Sequence, residues 1–68
     1  MAVSYKKLWK LLIDKDMTRT AMRKKAGITT SALAKLGKNE HVSTEILAKI
    51  CEALKCDITD IMELTEDE

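Results

Sequence analysis

Residues 18–39 of the chain read TRTAMRKKAGITTSALAKLGKN. Two short stretches with apolar residues at helical spacing lie on either side of Gly27. Gly27 can adopt the positive φ that ends a helix. Thr18 and Thr29 each precede one of the stretches, and threonine is among the residue types that cap helix N-termini. These residues predict two short helices that are joined by a tight turn.

The second of these helices is amphipathic. Leu33 and Leu36 share one face at helical spacing, which predicts that this face is buried. The opposite face carries small and basic side chains, namely Thr30, Ser31, Ala34 and Lys35. A tight turn, an apolar spine and a polar outer face within about twenty residues are typical of a helix-turn-helix. The second helix of that motif enters the major groove of DNA.

The remaining sequence predicts more helices and no strand. Apolar residues recur at helical spacing on both sides of the central stretch, whereas no segment alternates as a half-buried strand would. We therefore expect one all-α domain over residues 1–68, with Ser4 and Asp57 capping its first and last helices. The five expected helices span about residues 4–14, 19–25, 30–36, 44–55 and 58–63, and an acidic tail follows at 65–68.

The composition favours a small globular domain in the cytoplasm. The chain has 68 residues, of which 46% are hydrophobic, and it lacks Phe and Pro. A membrane span needs about 18 or more consecutive apolar residues, and the sequence contains no such run. The N-terminus lacks the basic start and apolar run of a secretory signal. We expect no contact with membranes.

Charge is distributed unevenly along the chain, although the formal net charge is only +1. Residues 1–40 hold ten Lys or Arg against three Asp or Glu, and residues 41–68 hold two against eight. A basic front half that contains the motif suits a protein that presents one face to phosphate. Two solvated helical faces that differ in sign would give the same distribution.

Metal binding and catalysis find little support in the sequence. Cys51 lies on an apolar helical stripe and Cys56 lies near Ile58, so both are expected to be buried as small hydrophobic residues. A structural zinc site needs about four ligands, and only His41 and distant carboxylates could complete one. With one His and no nucleophile beside a base, we expect no enzyme, no catalytic residue, no metal and no cofactor.

The order and spacing of several segments resemble the Cro/C1-type (XRE) helix-turn-helix family of phage repressors and small bacterial regulators, over about Leu8 to Leu64. These segments are MTR (17–19), AGIT (26–29), LAKLGK (33–38), VSTEIL (42–47), ICEAL (50–54) and DITDI (57–61). The resemblance implies a compact five-helix, lambda-repressor-like fold with the helix-turn-helix at helices 2 and 3. It also implies sequence-specific binding of double-stranded DNA by a transcriptional regulator, expected to be a homodimeric repressor.

The resemblance also implies which residues contact DNA. Those nearest the base edges are Arg19, Thr30, Ser31 and Lys35, of which Lys35 is suited to guanine and Thr30 to thymine. Arg19 could bind a phosphate instead, and the hydroxyls of Thr30 and Ser31 could serve only the first turn of their helix. Phosphate contacts are expected from helix N-termini and the following loop, at Thr18, Thr29, Lys38, Asn39, Ser43 and Thr44.

Two features leave alternatives open. Many family members have a small residue at the position of Arg23, whose guanidinium we expect to point outward, to a phosphate or to Glu40. Trp9 and Ile13 widen the apolar face of the first helix, so Trp9 either closes one edge of the core or forms a dimer contact. The Trp9–Ile13 surface and the acidic tail also fit a protein-interaction module or antitoxin-like subunit that binds a regulatory protein partner.

Overall fold

Four helices form the body of the protein, whose computed structural model describes residues 2–66. They are α1 (Lys6–Asp14), α2 (Arg19–Ala26), α3 (Thr30–Gly37) and α4 (Thr44–Leu54). A single 3-10 turn follows at Ile58–Asp60, and the described chain also contains two short strands, β1 (Ala2–Ser4) and β2 (Glu63–Thr65). No helix of this part of the chain has the length and apolar character needed to cross a membrane.

The core draws side chains from all four helices and from the segments that flank them. Its largest fully buried side chains are Tyr5, Leu8, Met22, Leu36, Ile50 and Ile61. α2 packs chiefly against α4, and α1 contacts both α2 and the 3-10 turn. Burial of an aliphatic side chain of this size contributes about 1.5–3 kcal/mol, so several medium-sized side chains stabilise a domain that lacks Phe.

Three of the four helices begin at a hydroxyl residue that accepts a hydrogen bond from the first turn. The Thr18 hydroxyl accepts from the Ala21 N–H at 3.0 Å, and the Thr29 hydroxyl accepts from the Ala32 N–H at 3.1 Å. Ser43 caps α4 in the same way. The prediction of a Ser4 cap was wrong, because Ser4 lies in β1 and the N-cap position of α1 is Tyr5, whose side chain is buried in the core.

Each of the four helices is followed, within two positions of its last residue, by a residue with positive φ. These residues are Asp16, Gly27, Asn39 and Lys55, with φ between 54° and 72°. In each case the next residue donates its N–H to the carbonyl five positions back, as in the Met17–Leu12 and Glu40–Lys35 bonds, both 2.9 Å. This pattern is a Schellman motif. α3 therefore includes Gly37, which the predicted helix over residues 30–36 left out, and Asn39 is the positive-φ residue of its Schellman motif.

The predicted fifth helix was wrong. Residues 58–60 form only one 3-10 turn, which a reciprocal pair of bonds between Asp57 and Asp60 closes. Ile61 then enters the core with no exposed surface, whereas Ile58 is 40% exposed. After this turn the chain becomes extended and forms β2.

The prediction that the chain contains no strand was also wrong. β2 pairs with β1 in antiparallel register, with Val3 opposite Leu64 and Ser4 opposite Glu63. The pairing satisfies backbone hydrogen-bonding groups at the two ends of the described chain. A helix over residues 58–63 would have left these two segments apart. Thr65, assigned to the acidic tail, belongs to β2. The expected end of that tail, residues 67–68, lies outside the described residues.

The two cysteines are free thiols packed half-buried against the core. They occupy the two hydrogen-bonded positions of the α4 Schellman motif, because the Cys56 N–H donates to the Cys51 carbonyl at 3.0 Å. Burial raises the pKa of both the Cys51 and the Cys56 thiol. Both residues therefore act as small apolar groups in the packing of the helix end.

The two glycines should respond oppositely to alanine substitution. Gly27→Ala places a side chain at φ +72° and should lower the free energy of unfolding by about 1–2 kcal/mol. Gly37→Ala adds a Cβ 3.5 Å from the Arg19 guanidinium, an ordinary contact, and should raise that free energy by about 0.5 kcal/mol through helix propensity. Urea denaturation measures both. Destabilisation of similar size in both variants would contradict the assignment of Gly37 to α3.

The free energy of unfolding should fall between about pH 8 and pH 9.5, where cysteine ordinarily ionises. Folding raises the pKa of both thiols, so as pH rises the unfolded chain releases these protons before the folded protein does. The contribution of the protonated thiols to the free energy of unfolding is therefore complete below the ordinary cysteine pKa. It is lost as pH rises through the folded pKa. Denaturation at both pH values measures the fall. The double variant Cys51→Ala/Cys56→Ala should show a smaller fall, and an equal fall would refute the explanation.

Candidate nucleic-acid interface

α3 is seated in the core by a row of side chains four residues apart. Ile28 and Ala32 are 4% and 7% exposed, and Leu36 is completely buried. Leu33, which was expected to point inward with Leu36, is only half-buried at the edge of this row. Sequence reasoning missed Ala32, although its spacing from Ile28 and Leu36 is the same as that of any buried helical face. The small Ala32 side chain lets α3 lie close to the core.

The face of α3 opposite this row is exposed. It carries Thr30, Ser31, Ala34 and Lys35, the set that the sequence predicted. Thr29, rather than Thr30 or Ser31, supplies the hydroxyl that caps the helix. The hydroxyls of Thr30 and Ser31 are therefore not required as caps, and within residues 2–66 no carboxylate lies within 4.0 Å of the Lys35 ammonium. This face can offer hydrogen-bond donors to an external group.

A groove of about 250 Å³ runs between the beginnings of α3 and α4. Its lining residues are Thr29, Ser31, Ala32, Lys35, Val42, Ser43 and Ile46. Four predicted contact residues from two helices thus share one concave surface. Val42 and Ile46 give it a half-buried apolar floor, which no sequence motif indicated. Hydroxyls, an ammonium group and helix N-termini around such a groove suit phosphate and base edges.

Arg19 lies away from this groove. Its guanidinium carbon is 3.9 Å from the centre of the Trp9 ring. It also lies beside Gly37, at the C-terminal end of α3. Since an α-helix rises about 1.5 Å per residue, Gly37 is about 10 Å along α3 from Thr30. The structure therefore separates Arg19 from Thr30 along α3, and it separates Arg19 from Ser31 and Lys35 because these two residues line the other groove.

The Arg19 guanidinium lines a second groove, of about 470 Å³. Its lining residues are Ser4, Lys6, Trp9, Arg19, Gly37 and Asn39. This groove brings two cations, a hydroxyl and an amide together from β1, α1, α2 and the loop after α3. Of the predicted phosphate-contact residues, Asn39 lies here, whereas Thr18, Lys38 and Thr44 are exposed at the neighbouring helix ends.

Tyr5 fixes the loop that follows α3. Its backbone N–H donates to the Asn39 side-chain oxygen at 3.0 Å, and its hydroxyl donates to the Glu40 carbonyl at 2.8 Å. Burial raises the pKa of the Tyr5 hydroxyl, so it stays a protonated donor at neutral pH. The beginning of the chain thus holds the loop that carries Lys38 and Asn39, a connection that no local sequence pattern indicated.

Arg23 does not reach Glu40 as the sequence suggested. It is half-buried on α2, and its guanidinium donates to the Ile28 carbonyl at 3.5 Å. The side chain therefore folds back over the turn between α2 and α3. A small residue at this position could not make that contact, so Arg23 adds a bond across the turn.

Comparisons with known proteins agree with this architecture. Residues 7–67 match the family of the Cro/C1-type HTH DNA-binding domain. The chain is 56% identical to a protein of known crystal structure described as the transcriptional regulator VanUg, form II, with a TM-score of 0.90. That match covers 96% of this chain and 88% of the other. No curated protein shows significant sequence similarity to the chain.

Removal of the Tyr5 hydroxyl should loosen the loop after α3. Tyr5→Phe keeps the buried ring and loses the bond to Glu40, so the free energy of unfolding should fall by about 1 kcal/mol. Hydrogen exchange should speed up most at the amides of residues 39–42, as NMR can measure. Unchanged exchange in this loop would show that the hydroxyl bond does not restrain it.

Proposed function

Because the chain belongs to the Cro/C1-type HTH DNA-binding domain family, we propose that it regulates transcription by binding specific sequences of double-stranded DNA. The exposed face of α3 carries this proposal. A buried row seats the helix in the core, whereas Thr30, Ser31, Ala34 and Lys35 are short or cationic and are exposed to solvent. A helix presented in this way fits the major groove. The related transcriptional regulator of known structure supports the same role.

Base reading would come from the exposed residues Thr30, Ser31 and Lys35 of α3. Lys35 can donate to O6 and N7 of guanine, and Thr30 can offer a hydroxyl to an acceptor and a methyl group to thymine. Ser31 can exchange hydrogen bonds with little preference among bases. Such short side chains need close approach of the helix, which the small exposed Ala34 permits.

Phosphates would be bound around this face by the helix N-termini and the loop. Backbone N–H groups at the starts of α2, α3 and α4 attract anions. The residues there are Thr18, Thr29, Ser43 and Thr44, and the loop adds Lys38 and Asn39. We assign Arg19 to a phosphate as well, since its guanidinium lies about 10 Å along α3 from Thr30.

We further propose that two copies bind a partly palindromic site and repress by covering a promoter. A single module of this size buries little DNA surface, and two half-sites about one helical turn apart supply affinity and selectivity. Sedimentation of the protein with a selected duplex tests this stoichiometry. Two copies per duplex would support the dimer, and a single copy at saturation would refute it.

A protein-interaction module is the second candidate. Ile13 is 76% exposed, and it shares a groove with half-buried Trp9 and Met17. This apolar surface is available to a partner protein, as in an antitoxin-like subunit. Binding to duplex DNA separates the two candidates, because only the regulator requires it.

Affinity for a duplex selected from a random pool should fall steeply with salt, since phosphate contacts release bound counterions. Lys35→Ala should weaken binding to the selected duplex by about 1–3 kcal/mol and relax the choice of one base. Fluorescence anisotropy with a set of single-base variants of the duplex measures both effects.

Lys24→Ala is the matched control, because Lys24 is an exposed lysine of α2 outside both grooves. It should leave base preference unchanged. Equal weakening on every duplex after Lys35→Ala would make Lys35 a phosphate contact. If the unchanged protein failed to bind any duplex at low salt, the regulator proposal would be refuted in favour of the interaction module.

A further inference from the structure

The stacking of Arg19 on Trp9 distinguishes this arginine from the other basic side chains of the described residues. Arg19 is exposed at the first position of α2, where a long side chain normally samples many rotamers. Here its guanidinium lies 3.9 Å over the Trp9 ring and beside the backbone of Gly37. The Trp9 ring on α1 and the backbone of Gly37 on α3 therefore fix the Arg19 guanidinium, which is still exposed to solvent.

Trp9 is a rigid support for this contact. It lies on α1 between the buried residues Leu8 and Leu12 and packs half-buried against the core. Its ring is therefore held by the core while one side of it remains available to Arg19. A cation over an aromatic face is attracted by the ring quadrupole, and the planar guanidinium is well suited to stack on it.

We propose that Trp9 is a positioning residue that holds the Arg19 guanidinium ready to bind a phosphodiester of the DNA backbone. Stacking uses the flat face of the guanidinium and leaves N–H donors at its edge, which match two phosphate oxygens. The inference rests on the proposed DNA binding and adds to it a role for α1. This helix contributes no residue to the exposed face of α3 that is proposed to contact bases.

The surroundings of the guanidinium favour an anion. Lys6 brings a second positive charge to the same groove, and Ser4 and Asn39 add a hydroxyl and an amide. Within residues 2–66 no carboxylate lies within 4.0 Å of the Arg19 guanidinium. Because Trp9 has already restricted the arginine, binding a phosphate requires less loss of side-chain freedom than it would for a mobile arginine.

A double-mutant cycle tests the positioning role. Trp9→Leu keeps an apolar side chain and removes the ring, and it should weaken duplex binding about 2- to 5-fold. Arg19→Ala should weaken binding at least as much and lower the salt slope by about one phosphate contact. The variant that combines both should bind no more weakly than Arg19→Ala, and Trp9→Phe should restore most of the affinity that Trp9→Leu loses.

The contact itself has a readout without DNA, since Trp9 is the single tryptophan of the chain. Arg19→Ala should change the Trp9 fluorescence spectrum of the free protein, and the control Lys24→Ala should not. Urea denaturation of Trp9→Leu, followed by circular dichroism, verifies that the variant is folded under the binding conditions.

The outcomes separate this inference from the function on which it rests. If the unchanged protein bound no duplex, both proposals would fail together. If it bound but Trp9→Leu weakened binding equally with and without Arg19, the positioning role alone would be overturned. Non-additive losses, together with the fluorescence change in Arg19→Ala, would establish that Trp9 acts through Arg19.

Discussion

The burial of Ile28, Ala32 and Leu36 fixes the orientation of α3. A rotation of the helix by about 100°, the angle between successive residues, would bring Lys35 or a hydroxyl toward the core. A buried charge or hydroxyl without a partner is costly, whereas the observed orientation buries only apolar atoms of this helix. The outward direction of Thr30, Ser31 and Lys35 therefore follows from apolar packing. No contact among the polar residues is needed to set it.

The ends of the helices connect this packing to the rest of the chain. A residue with positive φ follows each helix within two positions, and the residue after it donates its N–H to a carbonyl of the helix. After α3, the stop at Asn39 brings the loop against Tyr5, which makes two hydrogen bonds to it. β1 immediately precedes Tyr5 and pairs with β2. The loop after α3 is thus supported by both ends of the described chain.

Features that depend on neighbouring residues were predictable from the sequence. Threonine caps, a glycine with positive φ and helical spacing of apolar residues placed α2 and α3 within one residue of their observed bounds. These signals are local, because a cap and its partner N–H lie three residues apart. The same reasoning predicted the exposed face of α3, since it follows from the buried face.

Features that depend on distant residues were not predictable in this way. The pairing of Val3 with Leu64 joins segments that are each too short to show a strand pattern. The positive-φ residue after α3 is Asn39, whose side chain accepts a bond from the distant Tyr5, whereas Gly37 lies within the helix. The stacking of Arg19 on Trp9 joins two helices and places Arg19 beside Gly37, about 10 Å along α3 from Thr30.

The proposed division of the basic residues between the exposed face of α3 and the groove around Arg19 can be tested directly by mapping the surface that contacts DNA. Backbone amide NMR shifts, followed while a duplex is added, locate that surface residue by residue. We expect the largest changes at residues 30–35 and at the starts of α2 and α4, with further changes around Arg19. Changes confined to β1, β2 and the exposed side of α1 near Ile13 would contradict the assignment of α3 as the DNA-reading helix.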